Sequence, residues 1–401
     1  MPAVVAISDL HLGEESSSVN PLLREVVPAI LKDRPEFQKP PLNTTPVRLN
    51  TLLHKIAREH GGISDLVLVG DVIDLSLASY TSCVIQAREF FRQLLAGVLP
   101  GALVWVPGNH DHHIWVQVCE EEYIAAPLRE GNLPEEFPGI SGPGRDTGAL
   151  NRCNRGARFL LGLLPAHVWE RFWLAYPNYV TTCGRENLLF HHGHFFDRAQ
   201  SWIGTSLIEA QSLSELEILN SAYLDYISYG CGQSGRLSGQ IENIYEEIRW
   251  VTEKFGMVLD IITMKRFFKW LLGLRGREND RGNELGPKMA ERIGRYLQYI
   301  EQEEKTAPFT YPLDFSLIFG HTHRPLAGAA VGKHPVYNTG GWTVDERWPG
   351  ADKLHTGVFV AVPGRQFTVQ PVAIDRDVYD FCHRLNHAYR EAVDIDLGAP
   401  G

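Results

Sequence analysis

Short apolar runs recur along the chain, and each stops at polar side chains able to bind a metal or move a proton. AVVAIS (residues 3–8) runs into Asp9-Leu10-His11, and DLVLV (65–69) runs into Gly70-Asp71-Val72-Ile73-Asp74. ALVWVP (102–107) precedes Gly108-Asn109-His110-Asp111, NLLF (187–190) precedes His191-His192-Gly193-His194, and FSLIF (315–319) precedes Gly320-His321-Thr322-His323. Runs of this length, rich in Val, Leu, Ile and Phe, predict strands buried on both faces. The glycines beside most of their ends predict tight turns. Ligands gather at the carboxyl ends of strands in α/β sheets, so these ends are expected to converge on one site.

The text between the strands has helical spacing. VRLNTLLHKIAREH (47–60) stops at Gly61-Gly62, a helix C-terminal signal, and SCVIQAREFFRQLLAGVL (82–99) fills the next gap. This βαβαβ alternation marks the first 110 residues as an α/β half. Residues 112–180 read as a shorter insertion, with a loop SGPGRDTGALNRCNRG (141–156) and a helix AHVWERFWLAY (166–176). Residues 195–312 carry helical periodicity with little strand signal, and read as a helical insertion or lid folded over the crevice mouth. Strand-like text returns after His323 in HPVYNTGGW, TGVFVAV and QFTVQPVAI, followed by a helix in DVYDFCHRLNHAYREAV. The implied division is a discontinuous catalytic unit (1–194 and 313–375), the insertion (195–312), and a C-terminal helix and tail (376–401).

Composition narrows the function. In 401 residues, 44% are hydrophobic and 21% charged, an ordinary globular balance. A formal charge of −10 argues against a broad nucleic-acid surface, which depends on Lys and Arg neutralising phosphates. The first residues lack the basic start of a secretory signal, and no apolar run reaches 18 residues. Cysteines 83, 119, 153, 183, 231 and 382 form no CxxC pair, which suits reduced thiols in a cytoplasmic protein.

Taken singly, Asp-x-His, GDxxD and GNHD are each compatible with a capped turn. Taken together and in order, they describe a metal site built from imidazole, carboxylate and one amide oxygen. That donor set suits Mn, Fe, Zn or Co, and the absence of cysteine disfavours a structural zinc. Two ions about 3.5–4 Å apart can clamp the attacking and leaving oxygens at phosphorus.

The ordered set DLH, GDVID, GNHD, HHGH and GHTH, followed by NTGGW, resembles the calcineurin-like metallophosphoesterase superfamily. The resemblance implies a four-layer αββα sandwich of two mixed sheets, here carrying a large helical insertion. It implies two divalent metal ions, Mn2+ first and Fe, Zn or Co as alternatives, and in-line attack by a metal-bridging hydroxide. Carried over by motif, Asp9, His11 and His323 hold the first ion, Asp71 bridges, and Asn109, His192 and His321 hold the second. His110 is then the acid that protonates the leaving oxygen, and Asp74 orients it and raises its pKa. His194 and Arg324 are candidate substrate contacts, the latter through a phosphate. His191, Asp111, Asn338 and Trp342 read as structural.

Within the superfamily, SDLHLG and GHTHRP resemble the UDP-diacylglucosamine pyrophosphohydrolases, although those enzymes carry Gly-Asn-Arg-Asp where this chain has GNHD. The expected substrate is therefore a small or lipid-linked phosphoester: a phosphomonoester, a phosphodiester or a pyrophosphate. The basic-aromatic stretch MKRFFKWLLGLRGR (264–277) fits either peripheral membrane contact or packing within the insertion. A metal-dependent nuclease is the alternative, disfavoured by the acidic charge and the lack of a basic-aromatic track. A non-catalytic scaffold of the same fold is disfavoured by the complete ligand set.

Overall fold

The computed structural model describes residues 1–134, 157–196, 212–230, 285–303, 311–344 and 356–396. All five expected site-bearing strands form: β1 (Ala3–Ile7), β2 (Ile63–Val69), β3 (Ala102–Val106), β6 (Glu186–His191) and β7 (Ser316–Phe319). The remaining strands are β4 (Phe172–Leu174), β5 (Asn178–Cys183), β8 (Leu326–Val331), β9 (His334–Asn338), β10 (Gly357–Ala361) and β11 (Thr368–Pro371).

Two mixed sheets result, one in the order β11-β10-β1-β2-β3-β4 and one in the order β5-β6-β7-β9-β8. In the first, β1 to β4 run parallel, β10 pairs antiparallel with β1, and β11 pairs antiparallel with β10. In the second, β6, β7 and β9 run parallel between antiparallel edges β5 and β8. The parallel strands of each sheet therefore end at the same edge, where the polar motifs begin.

The period-2 alternation of a strand explains the layering. Val4 and Ala6 of β1, with Val67, Val69, Val104 and Val106, face Tyr179, Leu188, Phe190 and Ile318 of the second sheet. Ala3, Val5 and Ile7 point the other way, into a cluster with Leu49 and Leu53 of α1 (Thr45–His60) and Phe90 and Phe91 of α2 (Tyr80–Leu94). α1 ends as its sequence predicts, with Gly61 at φ 72°. Outside the second sheet, α5 (Pro287–Glu303) contributes Ile293, Tyr296, Leu297 and Ile300. The architecture is thus the expected αββα sandwich.

Two other helices bear on the site. α3 (His113–Glu120) begins three residues after His110 and passes into a π-helical turn at Glu121–Ala125. α4 (Leu213–Leu224) likewise passes into a π-helical turn at Asp225–Gly230. Leu213, Leu216 and Leu224 of α4 join the same apolar cluster as the sheet residues, as do the α5 side chains. The C-terminal helix α6 (Arg376–Asp396) presents Val378, Phe381, Cys382 and Leu385, at helical spacing, to Leu23, Val26, Leu31 and Phe37.

One element differs from its sequence reading. AHVWERFWLAY is not one helix: Ala166–Arg171 is a 3-10 turn, and Phe172–Leu174 becomes β4 on the edge of the first sheet. Its aromatic and apolar residues satisfy either period over so short a run, and pairing of Phe172 to Leu174 with Leu103 to Trp105 decides for the strand. The loop 141–156, most of residues 197–284 and the stretch 264–277 lie outside the described residues. Among the described residues no helix is long and apolar enough to cross a membrane.

Candidate metal centre

Among the described residues, only five non-glycine positions have positive φ: Asp9 (53°), His11 (45°), Asp71 (50°), His321 (65°) and His323 (55°). All five belong to the ligand set expected from the motifs. A left-handed conformation costs an ordinary residue about 1 kcal/mol, and such outliers concentrate at functional sites. At the strand ends the chain turns sharply, and this turn swings each side chain back over the sheet edge.

The donors gather in two groups, Asp9 with His11 and His323, and Asp71 with His192 and His321, each with ligand atoms within 4.8 Å of one another. Asn109 completes the second, with Oδ1 3.2 Å from His192 Nε2 and 3.0 Å from His321 Nδ1. Asp71 belongs to both: its Oδ2 lies 3.1 Å from His192 Nε2 and 3.7 Å from His11 Nε2. The structure therefore brings together every residue that the motifs assign to the two ions.

Outer hydrogen bonds fix which ring nitrogens face inward. Nδ1–H of His192 donates to the Val69 carbonyl at 2.8 Å. Nδ1–H of His11 donates to Asp74 Oδ2 at 2.8 Å, and His323 Nδ1 meets the Thr343 hydroxyl at 2.8 Å. The Nε2 lone pairs of His11 and His192 are thus left pointing at other acceptors: His323 Nε2 at 3.2 Å, and the oxygens of Asp71 and Asn109. Packed lone pairs of nitrogen, carboxylate and amide oxygen repel unless a cation or a proton lies among them, so the donor set fits divalent metal ions. Asp9 is held by Ser8, which also meets Thr339, and by the backbone N–H of His321.

The electrostatics carry the same signature. Burial raises the Asp71 carboxyl, but His192, His110 and His11 outweigh it and hold the group well below its ordinary value. For Asp9, burial is likewise outweighed by His323 and His192, which lower it. In His192 burial disfavours the cation, yet Asp71 and Asp9 push the pKa up to about 9. Metal binding displaces that proton, which couples affinity to pH.

Beside the two groups, Nδ1 of His110 lies 3.0 Å from Asp74 Oδ2, the same oxygen that accepts from His11. The contact is a close ion pair between a buried carboxylate and the imidazole. Burial disfavours the His110 cation, but Asp74 and Asp71 together push its pKa up to about 10. Its side chain is 22% exposed while that of Asp74 is fully buried, so His110 is the member of the pair that faces solvent. Asp74 Oδ1 accepts from the backbone N–H groups of Ser76 and Leu77, which anchors the carboxylate.

Other residues fall where sequence reasoning put them, or deeper. Asp111 accepts from the backbone N–H groups of Val72 and Gly108 and from Trp105 Nε1, tying the GNHD turn to the GDVID turn. His191 is buried against Phe196 and Tyr296. His194 is also fully buried, its Nε2 3.1 Å from the Tyr176 hydroxyl. Burial, reinforced by neighbouring histidines, keeps its ring neutral. Arg324 is half-buried beside His323.

Four contributors carried no sequence signal: Ser8, Thr339 and Thr343, which hold ligands in place, and Glu14. Glu14 Oε2 lies 3.7 Å from His11 Nδ1, and burial together with Asp74 and Glu15 pushes its pKa up to about 8.

The family model described as calcineurin-like phosphoesterase matches residues 2–231, more than half of the chain. The match spans the first four motifs, and the fold adds His321 and His323 to them. No curated protein matches the chain.

Proposed function

The chain belongs to the calcineurin-like phosphoesterase family and is a metal-dependent phosphoric ester hydrolase, and on that footing we propose a dinuclear centre with His110 as its leaving-group acid. Asp9, His11 and His323 would hold one ion and Asn109, His192 and His321 the other, with Asp71 between them. The observation that carries this reading is the position of Asp71 Oδ2, within 3.7 Å of the inward nitrogens of both groups. When bound, the two ions supply activation of water and neutralise charge on the phosphoryl group. Mn2+ suits the mixed imidazole, carboxylate and amide donors, with Fe, Zn or Co as alternatives.

The chain's own residues do the rest. Asp74 keeps His110 protonated and aimed, and His110 delivers its proton to the departing oxygen. Asp111 and the Asp71 carboxylate, which accepts from the His110 backbone N–H at 2.8 Å, fix the turn that carries the acid. The substrate class that follows is a phosphomonoester, a phosphodiester or a pyrophosphate, on a small or lipid-linked leaving group.

The test uses chelator-stripped protein with Mn2+, Mg2+, Zn2+, Co2+ or Fe2+ restored singly, measuring bound metal per chain and hydrolysis of paired aryl monoesters and diesters. Two ions per chain with restored turnover support the reading, and the favoured ester defines the class. One ion at full activity would overturn the dinuclear assignment.

A further inference from the structure

The His110 turn is braced on two sides, and only one of them belongs to the sheet. On the sheet side are Asp71 and Asp111, described above. On the other side the turn runs directly into α3, whose first residue is His113. The side chains of that first turn are held by residues more than a hundred positions later in the chain, on α4 and its π-helical turn. His113 Nδ1 lies 2.7 Å from Asp225 Oδ1. The His113 ring lies flat on Tyr229, with centroids 3.4 Å apart and planes 3° from parallel. Tyr229 in turn meets the Tyr80 hydroxyl at 3.2 Å, at the start of α2. Two residues further along α3, Trp115 Nε1–H donates to Glu217 Oε1 at 3.2 Å.

These contacts are not generic surface packing. Asp225 and Tyr229 grip one imidazole from its edge and its face at once, which fixes both the tilt and the rotation of the ring. Tyr229 reaches it from a π-helical turn, a conformation that spaces residues differently from an α-helix and recurs at functional sites. α3 is short and ends in a π-helical turn of its own, so its placement depends on tertiary contacts rather than on length.

We infer that Asp225 and Tyr229 are positioning residues for His110, acting through His113, so that α4 and its π-helical turn are part of the machinery for leaving-group protonation. The inference rests on the reading of His110 as the leaving-group acid. It separates the role of α4 and its π-helical turn from metal binding: neither residue belongs to a donor group, and Asn109, the one donor on the His110 turn, is flanked by backbone N–H groups held on the sheet side by Asp111 and Asp71. It also names a substrate dependence. A poorly placed acid slows esters whose leaving oxygen needs a proton, and scarcely affects those whose leaving group departs as a stable anion.

The experiment compares full-length, Mn2+-loaded wild type with Asp225→Asn, Tyr229→Leu and Tyr229→Phe on two monoesters, p-nitrophenyl phosphate and a simple alkyl phosphate. Bound metal is measured on each protein, together with backbone amide exchange over residues 107–116. For Asp225→Asn and Tyr229→Leu we expect metal content equal to wild type and amide exchange over 107–116 faster by about tenfold. kcat on the alkyl ester should fall about tenfold, with KM and the p-nitrophenyl rate changed less than about threefold. Tyr229→Phe, which keeps the stacked ring, should restore the alkyl rate. Equal losses on both esters would overturn the inference, as would wild-type rates in both variants. If Asp225→Asn fails to fold, the Tyr229→Leu and Tyr229→Phe pair decides alone. His110→Ala is the separate control: if it leaves the alkyl rate unchanged, the acid assignment fails, whatever the Asp225 and Tyr229 variants do.

Discussion

Oδ2 of Asp74 lies 2.8 Å from Nδ1 of His11 and 3.0 Å from Nδ1 of His110. One carboxylate oxygen thus serves a member of the first donor group and the residue that faces solvent as a candidate acid. Sequence reasoning gives Asp74 only the second duty. Outer partners of this kind orient a ligand and raise its basicity, and their loss weakens metal binding by about 10- to 100-fold. Asp74→Asn is therefore expected to lower both metal affinity and turnover. His110→Ala should keep both ions and lose turnover by about 100-fold. Bound metal after dialysis, read beside kcat, separates the two. Wild-type metal affinity in Asp74→Asn would mean that the bond to His11 carries no weight.

Asp71 supplies the sharper metal test. Its Oδ2 touches both donor groups, and its Oδ1 accepts from the backbone N–H of His110. Asp71→Asn removes the charge but preserves the shape and one oxygen. The expected result is loss of at least one ion per chain and of nearly all activity. Two ions retained would refute the bridging position.

Glycines at the strand ends make a different kind of prediction. A Cβ on Gly108 would lie 2.3 Å from Asp71 Oδ1 and 2.8 Å from His192 Cδ2, although its backbone is not left-handed. The residue is needed for space beside two ligands rather than for a turn. Gly108→Ala should give a folded protein that binds fewer than two ions and is slower by about 100-fold or more. Gly61→Ala is the comparison: φ is +72° and nothing lies within 4 Å, so it should cost about 1 kcal/mol of stability and leave the metals in place. Circular dichroism and metal content on the two proteins check both statements. Equal metal content in the two would remove the close-approach argument.

That contrast marks how far the sequence was legible. Apolar runs ending in Asp, His and Asn mark the five site-bearing strands, because parallel strands discharge their polar ends on one edge, while the choice of donors among those polar residues comes from the motif resemblance. β4, β5 and β8 were not read. Phe172–Leu174 lies in text with helical spacing, and Ala327, Gly328, Ala329 and Ala330 lack the β-branched residues that announce a strand. The braces of the site were silent for another reason. Thr343 on His323, Ser8 on Asp9 and Asp225 on His113 are single common residues whose partners lie far away in sequence, and only the fold brings them together. The motif text does not decide between substrate contact and turn hydrogen bonding for His194, whose Nε2 meets the buried Tyr176 hydroxyl across 18 residues of chain.

His112 supplies the pH dependence. It is 1% exposed, its ring meets Tyr176 edge-on, and neither ring nitrogen has a hydrogen-bond partner. Burial lowers its pKa from 6.5 to about 4, against the opposing pull of Asp225 and with a small push from His113. The folded chain keeps this imidazole neutral, while the unfolded chain protonates it below about pH 6.5, so between those values the unfolded state binds more protons. Stability from this group is therefore complete above pH 6.5 and is lost as pH falls towards 4. His112→Phe keeps an aromatic ring of similar size against Tyr176 and removes the titration. Urea unfolding of metal-free protein at pH 7 and pH 4.5 should show wild type losing about 2 to 3 kcal/mol more than His112→Phe over that interval. Parallel losses would mean that His112 is protonated, or hydrogen-bonded, in the folded protein.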